Sequence, residues 1–184
     1  MTDEEKKVLD TILSLCQREG ISPFQIDYKV HNEIKVSNVK GVLTTDIKEN
    51  VVSVRYRGMY EERLGTFEDD KLDENRVDEI IKSIKQSALN SDRLCRPEFF
   101  GEPGQRYKSS GFKLSNVKID NLKILNNKIV QSLKGMNSLF NDDAINEIST
   151  TLITGRRMMV NSKGLKVEKK FDRIVMKADC TFTK

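Results

Sequence analysis

The chain has 184 residues, 33% of them charged and 37% hydrophobic, with both signs interspersed. That balance excludes an intrinsically disordered chain, and the length allows a real core. A formal net charge of +4, spread over scattered lysines, excludes the concentrated basic surface of a dedicated nucleic-acid binder.

The first predicted element is a helix. Thr2 or Asp3 can cap it, Glu4 and Glu5 suit its dipole, and Leu9, Ile12, Leu13 and Cys16 form one apolar stripe that Gly20 ends. After Pro23 the period becomes two. Phe24, Ile26, Tyr28 and Val30 alternate with polar neighbours, which predicts a half-buried strand with His31 on its exposed side. A further strand from Glu33 turns near Asn38 to Gly41, and "NVVSVRYRG" and "YEERLGTF" predict two more. The segment from Asp69 to Asp92 predicts a helix capped by Asp70 or Asp73, with Val77, Ile80, Ile81, Ile84 and Ala88 on one face.

From Cys95 to Asn116 periodicity lapses, and prolines and glycines accumulate. This stretch reads either as a linker, 95–116, between subdomains 1–94 and 117–184, or as an irregular crossing of one domain. A helix follows, with Leu122, Leu125, Ile129, Leu133 and Met136 on one face. Three strand-like runs close the chain: "INEISTTLITGRRMMV", "GLKVEKKF" and "DRIVMKADCTF". The hairpin turn falls at "NSKG", and Ile174, Met176, Ala178, Cys180 and Phe182 alternate on one face of the last run. The expected fold is therefore α+β: an antiparallel sheet with helices on one face. Each half carries a helix followed by a meander. An internal duplication and generic hairpin chemistry both account for that repetition.

The chemistry-bearing residues are few. His31 is the only histidine, and Cys16, Cys95 and Cys180 have neither zinc-ligand nor redox spacing. There is no nucleophile elbow and no phosphate-binding loop. The acidic cluster Glu68, Asp69, Asp70, Asp73 and Glu74 could bind a hard cation, but it sits where a helix N-terminus explains it. We therefore assign no catalytic, cofactor-binding or metal-binding residue. Arg156 and Arg157 could hold a carboxylate or phosphate, or simply blunt an edge strand. With Asn161 and Ser162 of the following turn they are the candidate peptide or partner contacts. No apolar run approaches the roughly 20 residues of a membrane span. The acidic N-terminus lacks a signal-peptide pattern, so the expected setting is cytoplasmic, without membrane contact.

"YEERLGTFEDDKLDENRVDEIIKSIKQSALNSD" (Tyr60 to Asp92), the following "RPEFFGEPGQRY" and the hairpin "VNSKGLKVEKK" together resemble the N-terminal domain of the TldD/PmbA metallopeptidases, the "modulators of DNA gyrase". The resemblance covers nearly the whole chain and is closer to the PmbA (TldE) type. One departure is that Gly65 and Thr66 are adjacent, where many relatives separate them. The resemblance implies a heterodimer with a TldD-type subunit, or self-association, acting in proteolysis and peptide maturation on unfolded peptides. The family's zinc site is a His-Glu-x-x-x-His helix with a further cysteine, in a following catalytic-type domain. None of it occurs here, so the resemblance implies a chain that is inactive alone and carries no cofactor. It also implies that the chain ends where the second domain would begin, leaving the last hairpin as an open sheet edge. The expected role is to shape the substrate cavity and the partner interface. The alternative is a stand-alone binding module, nucleic-acid or gyrase associated. Scattered lysines and phenylalanines in apolar positions speak against nucleic acid.

Overall fold

The computed structural model describes residues 2–92, 94, 96–103, 117–135 and 145–180. Cys95, Met136 and Phe182 lie outside the described residues. The elements are α1 (Asp3–Arg18), β1 (Phe24–Val39), β2 (Val42–Tyr60), β3 (Arg63–Asp69), α2 (Val77–Leu89), α3 (Ile119–Lys134), β4 (Ile145–Asn161) and β5 (Lys166–Cys180). The five strands form one open antiparallel sheet in the order β3-β2-β1-β4-β5. The fold is α+β, as the periodicities predict.

The strands run longer than the sequence suggests. The two runs on either side of His31 are one strand, and so are the last two runs of the chain. The chain divides into two compact units. One comprises Met1–Val30, Val52–Ser109 and Arg156–Lys170, the other His31–Val51, Ser110–Gly155 and Phe171–Lys184. They do not coincide with segments 1–94 and 117–184, because β1, β2, β4 and β5 each contribute residues to both.

In the first unit, Thr2 and Glu5 form a reciprocal capping box: the Thr2 hydroxyl accepts from Glu5 N at 3.1 Å, and Glu5 Oε2 accepts from Thr2 N at 2.9 Å. The apolar stripe of α1 (Leu9, Ile12, Cys16) meets Ile80, Ile81 and Ile84 of α2 and Phe24, Ile26, Tyr28, Val54, Tyr56, Met158 and Val160 of the sheet in one core. Each such aliphatic side chain contributes about 1.5–3 kcal/mol on burial. Phe24, Tyr56 and Phe67 stack across three neighbouring strands, with ring centroids 6.3 and 6.0 Å apart.

Two glycines decide how closely this core closes. Gly58 of β2 and Gly65 of β3 are direct cross-strand partners, and both are buried. A Cβ on Gly65 would lie 2.1 Å from the Ile84 carbonyl oxygen, the backbone of α2 itself. A Cβ on Gly58 would lie 2.2 Å from Ile21 Cγ2. With no side chain between them, α2 rests directly on β3. The Ser87 hydroxyl then accepts from Thr66 N at 3.1 Å, and Arg63 donates to the Leu89 and Ser91 carbonyls at the helix end. An edge strand thus has its backbone partly satisfied by the helix above it.

Asp73, rather than Asp70, caps the start of this helical segment, a 3-10 turn over Glu74–Arg76 that leads into α2. Asp69 binds Arg76 at 2.6 Å and Glu68 binds Arg55, so the acidic cluster is used locally. The β2–β3 turn places both Glu61 (φ 48°) and Glu62 (φ 60°) in the left-handed region. That conformation costs non-glycine residues about 1 kcal/mol each.

In the second unit, Val36, Leu122 and Leu152 form the core, with Ile34, Val117 and Ile174 packed against it. Asn126 lies on the inward stripe of α3 and is fully buried. Its amide donates to the Ile148 carbonyl at 2.9 Å and the Val36 carbonyl at 3.2 Å, pinning α3 across two strands. The β1–β2 turn uses Lys40 (φ 48°) and Gly41 (φ 88°), with Asn38 Oδ1 accepting from Gly41 N.

His31 corrects an expectation. It is only 5% exposed, and its Nε2 lies 2.8 Å from Glu33 Oε1. Alternation identifies an exposed face only when one side of a strand is wet. β1 lies between β2 and β4, and residues of both parities along it (Gln25 and Ser37 as well as Phe24 and Val36) are buried.

Two outcomes follow for equilibrium urea unfolding. Gly65→Ala should destabilise the protein by about 2 kcal/mol or more, because helix backbone must shift to admit the methyl group. Wild-type stability in that variant would refute the close approach. Glu61→Asn with Glu62→Gly should stabilise by about 1 kcal/mol, since these residues suit a turn with two positive φ angles. No gain would mean that the turn carries no conformational cost.

Candidate interaction site on the β4–β5 hairpin

The four candidate contacts, Arg156, Arg157, Asn161 and Ser162, all lie on or beside the end of β4 in the first unit, and the structure gives each an internal partner. Arg156 donates to Glu5 Oε1, the carboxylate that also caps α1, and Tyr28 OH donates to the same oxygen at 3.0 Å. Glu168 of β5 lies 3.8 Å from the other end of the guanidinium. One carboxylate therefore ties α1, β1 and β4 together. Burial pushes the Glu5 carboxyl up, but hydrogen bonds from Thr2 N, Arg156 and Tyr28 outweigh it and leave the group below its ordinary 4.5. The Tyr28 hydroxyl is pushed up to about 12 by burial and by its bond to Glu5.

Arg157 grips Asp27 of β1 through two nitrogens, Nε at 2.7 Å and Nη2, in a bidentate pair. The Arg157 side chain remains 53% exposed while Asp27 is 12% exposed. Asn161 is 4% exposed. Its Oδ1 accepts from Lys163 N at 3.0 Å and Leu165 N at 2.9 Å, and its Nδ2 donates to the Gly101 carbonyl at 2.7 Å. Ser162 exchanges two hydrogen bonds with the Phe24 backbone: its Oγ accepts at 2.9 Å and its N donates at 2.8 Å. Gly164, at φ 91°, closes the turn. Lys163 reaches the Pro97 carbonyl at 3.0 Å and pairs with Glu102. The hairpin thus clasps the 97–102 segment and the start of β1.

The polar side chains of the hairpin anchor it to α1, β1 and the 97–102 segment. Cys16 is buried, and burial pushes its thiol up to about 12, so it behaves as a core hydrophobe. Among the described residues no group of three His, Cys, Asp or Glu side chains is placed to hold a metal ion. Also among the described residues, no helix is long and apolar enough to cross a membrane. Buried polar residues that the sequence pattern does not reveal include Gln25, His31 and Asn126. For Asn126 a signal existed, because it falls four residues after Leu122 on the apolar stripe.

No protein-family model and no curated protein matches the sequence. Solved structures do match in fold. A Thermotoga maritima protein assigned as a modulator of DNA gyrase aligns with a TM-score of 0.64 at 14% identity, over 94% of this chain and 39% of its own. TldE from Thermococcus kodakarensis gives 0.63 at 20% identity, over 93% of this chain and 38% of its own. A Bacteroides thetaiotaomicron protein, also assigned as a modulator of DNA gyrase, gives 0.62 at 15% identity, over 99% of this chain and 42% of its own. The chain thus has the fold of part of these larger proteins, as the resemblance in its sequence implies, and spans about two fifths of their length.

The Glu5 anchor has a pH signature. Its folded pKa is depressed, so its contribution is complete above the unfolded value of 4.5 and is lost as pH falls through the lower folded value. Glu5→Gln should therefore cost about 1 kcal/mol at pH 7. The gap to wild type should close at acid pH below the folded pKa. A gap that is as wide in acid as at neutral pH would contradict the assignment.

Proposed function

We propose that the chain is the non-catalytic N-terminal domain of a TldD/PmbA-type peptidase assembly of the TldE kind, helping to shape the substrate cavity and the interface with a TldD-type subunit. The observation that carries this reading is the pattern of coverage. Nearly all of this chain aligns with each solved structure, but only 38–42% of each solved chain is used. A whole fold that recurs as part of larger proteins is a domain of such proteins. The sequence contributes no His-Glu-x-x-x-His motif and only one histidine, itself buried, so zinc would be held elsewhere in the assembly.

The hairpin fits an interface role better than a catalytic one. Arg156, Asn161 and Ser162 are committed to internal bonds that fix its shape. Arg157, half-exposed and already held by Asp27, is the residue best placed to meet a carboxylate of a peptide or partner at little entropic cost. Against the nucleic-acid alternative, the guanidinium groups of Arg55, Arg76, Arg156 and Arg157 are each engaged by a carboxylate of this chain rather than left open to phosphates.

Co-expression with a TldD-type subunit tests the reading. The two should elute as one complex that cleaves an unfolded peptide, while the chain alone cleaves none and binds duplex DNA no tighter than about 10⁻⁶ M at physiological salt. Chelator-sensitive cleavage by the chain alone, or nanomolar sequence-selective DNA binding, would contradict it.

A further inference from the structure

Among the described residues the sheet has three stretches of edge, and they are not equivalent. β3 is covered by α2, with Ser87 on the Thr66 amide. β5 carries Lys166, Lys169, Lys170, Arg173 and Lys177, the charged dressing that natural edges use against pairing. The third stretch is the first half of β2. β3 pairs with β2 only from Val54 onward, so Val42–Ser53 has β1 on one side and no described strand on the other. Every residue from Val42 to Asn50 is exposed, including Val42 at 64%, Leu43 at 39% and Ile47 at 52%. Its charged residues are Asp46, Lys48 and Glu49, and it contains no proline. By the usual rules it is the unprotected edge.

We infer that two copies of this chain pair antiparallel through this stretch, about a two-fold axis at Ile47. The turn fixes which backbone groups face outward. A two-residue turn at Lys40–Gly41 makes Val39 and Val42 a hydrogen-bonded pair. The alternation of an antiparallel ladder then turns the N–H and C=O groups of Leu43, Thr45, Ile47 and Glu49 away from β1. The regular stretch ends at Asn50, whose φ of 52° and bond to Asn32 Oδ1 interrupt the strand.

Charge selects the register. An axis at Asp46 would set two carboxylates face to face, and an axis at Thr45 would leave every charge without an opposite partner. An axis at Ile47 places each Asp46 opposite the partner's Lys48, packs Ile47 on its own copy and sets Thr45 against the partner's Glu49. Asp46 and Lys48 lie 3.9 Å apart on one face of the single strand, both about 60% exposed, so they can form a four-residue cluster of alternating sign without rebuilding the chain. The occupant is therefore a second copy, because the stretch is complementary to itself.

Sedimentation equilibrium over a concentration series tests this with the whole chain. Wild type should show a reversible dimer. Lys48→Asp and Asp46→Lys each turn two attractions into repulsions, and each should weaken the dimer about tenfold. The double exchange, Asp46→Lys with Lys48→Asp, restores opposite charges in this register alone and should recover the wild-type affinity. A protein that stays monomeric throughout overturns the inference. So does a dimer indifferent to the single changes, or one that the double exchange fails to recover, as when β2 of one copy meets β5 of the next. These residues are exposed and distant in sequence from the β4–β5 hairpin, so loss of the dimer is separable from failure of the proposed TldD-type complex.

Discussion

The first unit depends on one close approach, the carbonyl oxygen of Ile84 lying where a Cβ of Gly65 would be. A methyl group there would lift α2 off β3. Ser87 would then miss the Thr66 amide, Arg63 would miss the carbonyls at the helix end, and β3 would become a bare edge. The same contact explains how a β2–β3 turn made of two glutamates in a left-handed conformation persists. The turn opposes the hairpin and the packing of α2 enforces it, so tertiary burial decides the local conformation. The adjacent Gly65–Thr66 pair sits at this contact. Its register is settled by the pairing of Gly58 with Gly65 and of Arg57 with Thr66.

Much of the fold was legible because its signals are local. The capping of α1, the stripe Ile80, Ile81, Ile84 and Ala88, the Asn38–Gly41 turn and the "NSKG" turn each follow from a few adjacent residues. What stayed hidden depends on partners distant in the chain. His31 reads as exposed because alternation cannot reveal that β1 is a central strand, flanked by β2 and β4, whose neighbours bury individual polar positions. The division into units cannot be read in order, because each long strand serves both. The Glu61–Glu62 turn lacks the glycine or asparagine that marks such turns, so only a weak strand signal on either side pointed to it.

The candidate site shows the same limit. Arg156 and Arg157 are residues that can hold an anion, and each holds one from the same chain, Glu5 and Asp27. A pair of arginines in a sequence says that carboxylates are wanted but not whose. Glu5 illustrates the converse. Its value as a helix cap is visible in the sequence, while its second use, joining α1 to β1 and β4 through Tyr28 and Arg156, requires the fold. A hairpin stiffened in this way suits a surface that must keep its shape against a partner, which is the role we propose for it.

Helix α2 seals the β3 edge, while among the described residues no strand pairs with the outer side of the first half of β2. Native-state hydrogen exchange on dilute protein measures this directly. The Thr66 amide, bonded to Ser87, should exchange only when the first unit unfolds, while the amides of Thr45 and Ile47 should exchange orders of magnitude faster. Equal protection at Thr66 and Ile47, or rapid exchange at Thr66 with α2 intact, would contradict the account.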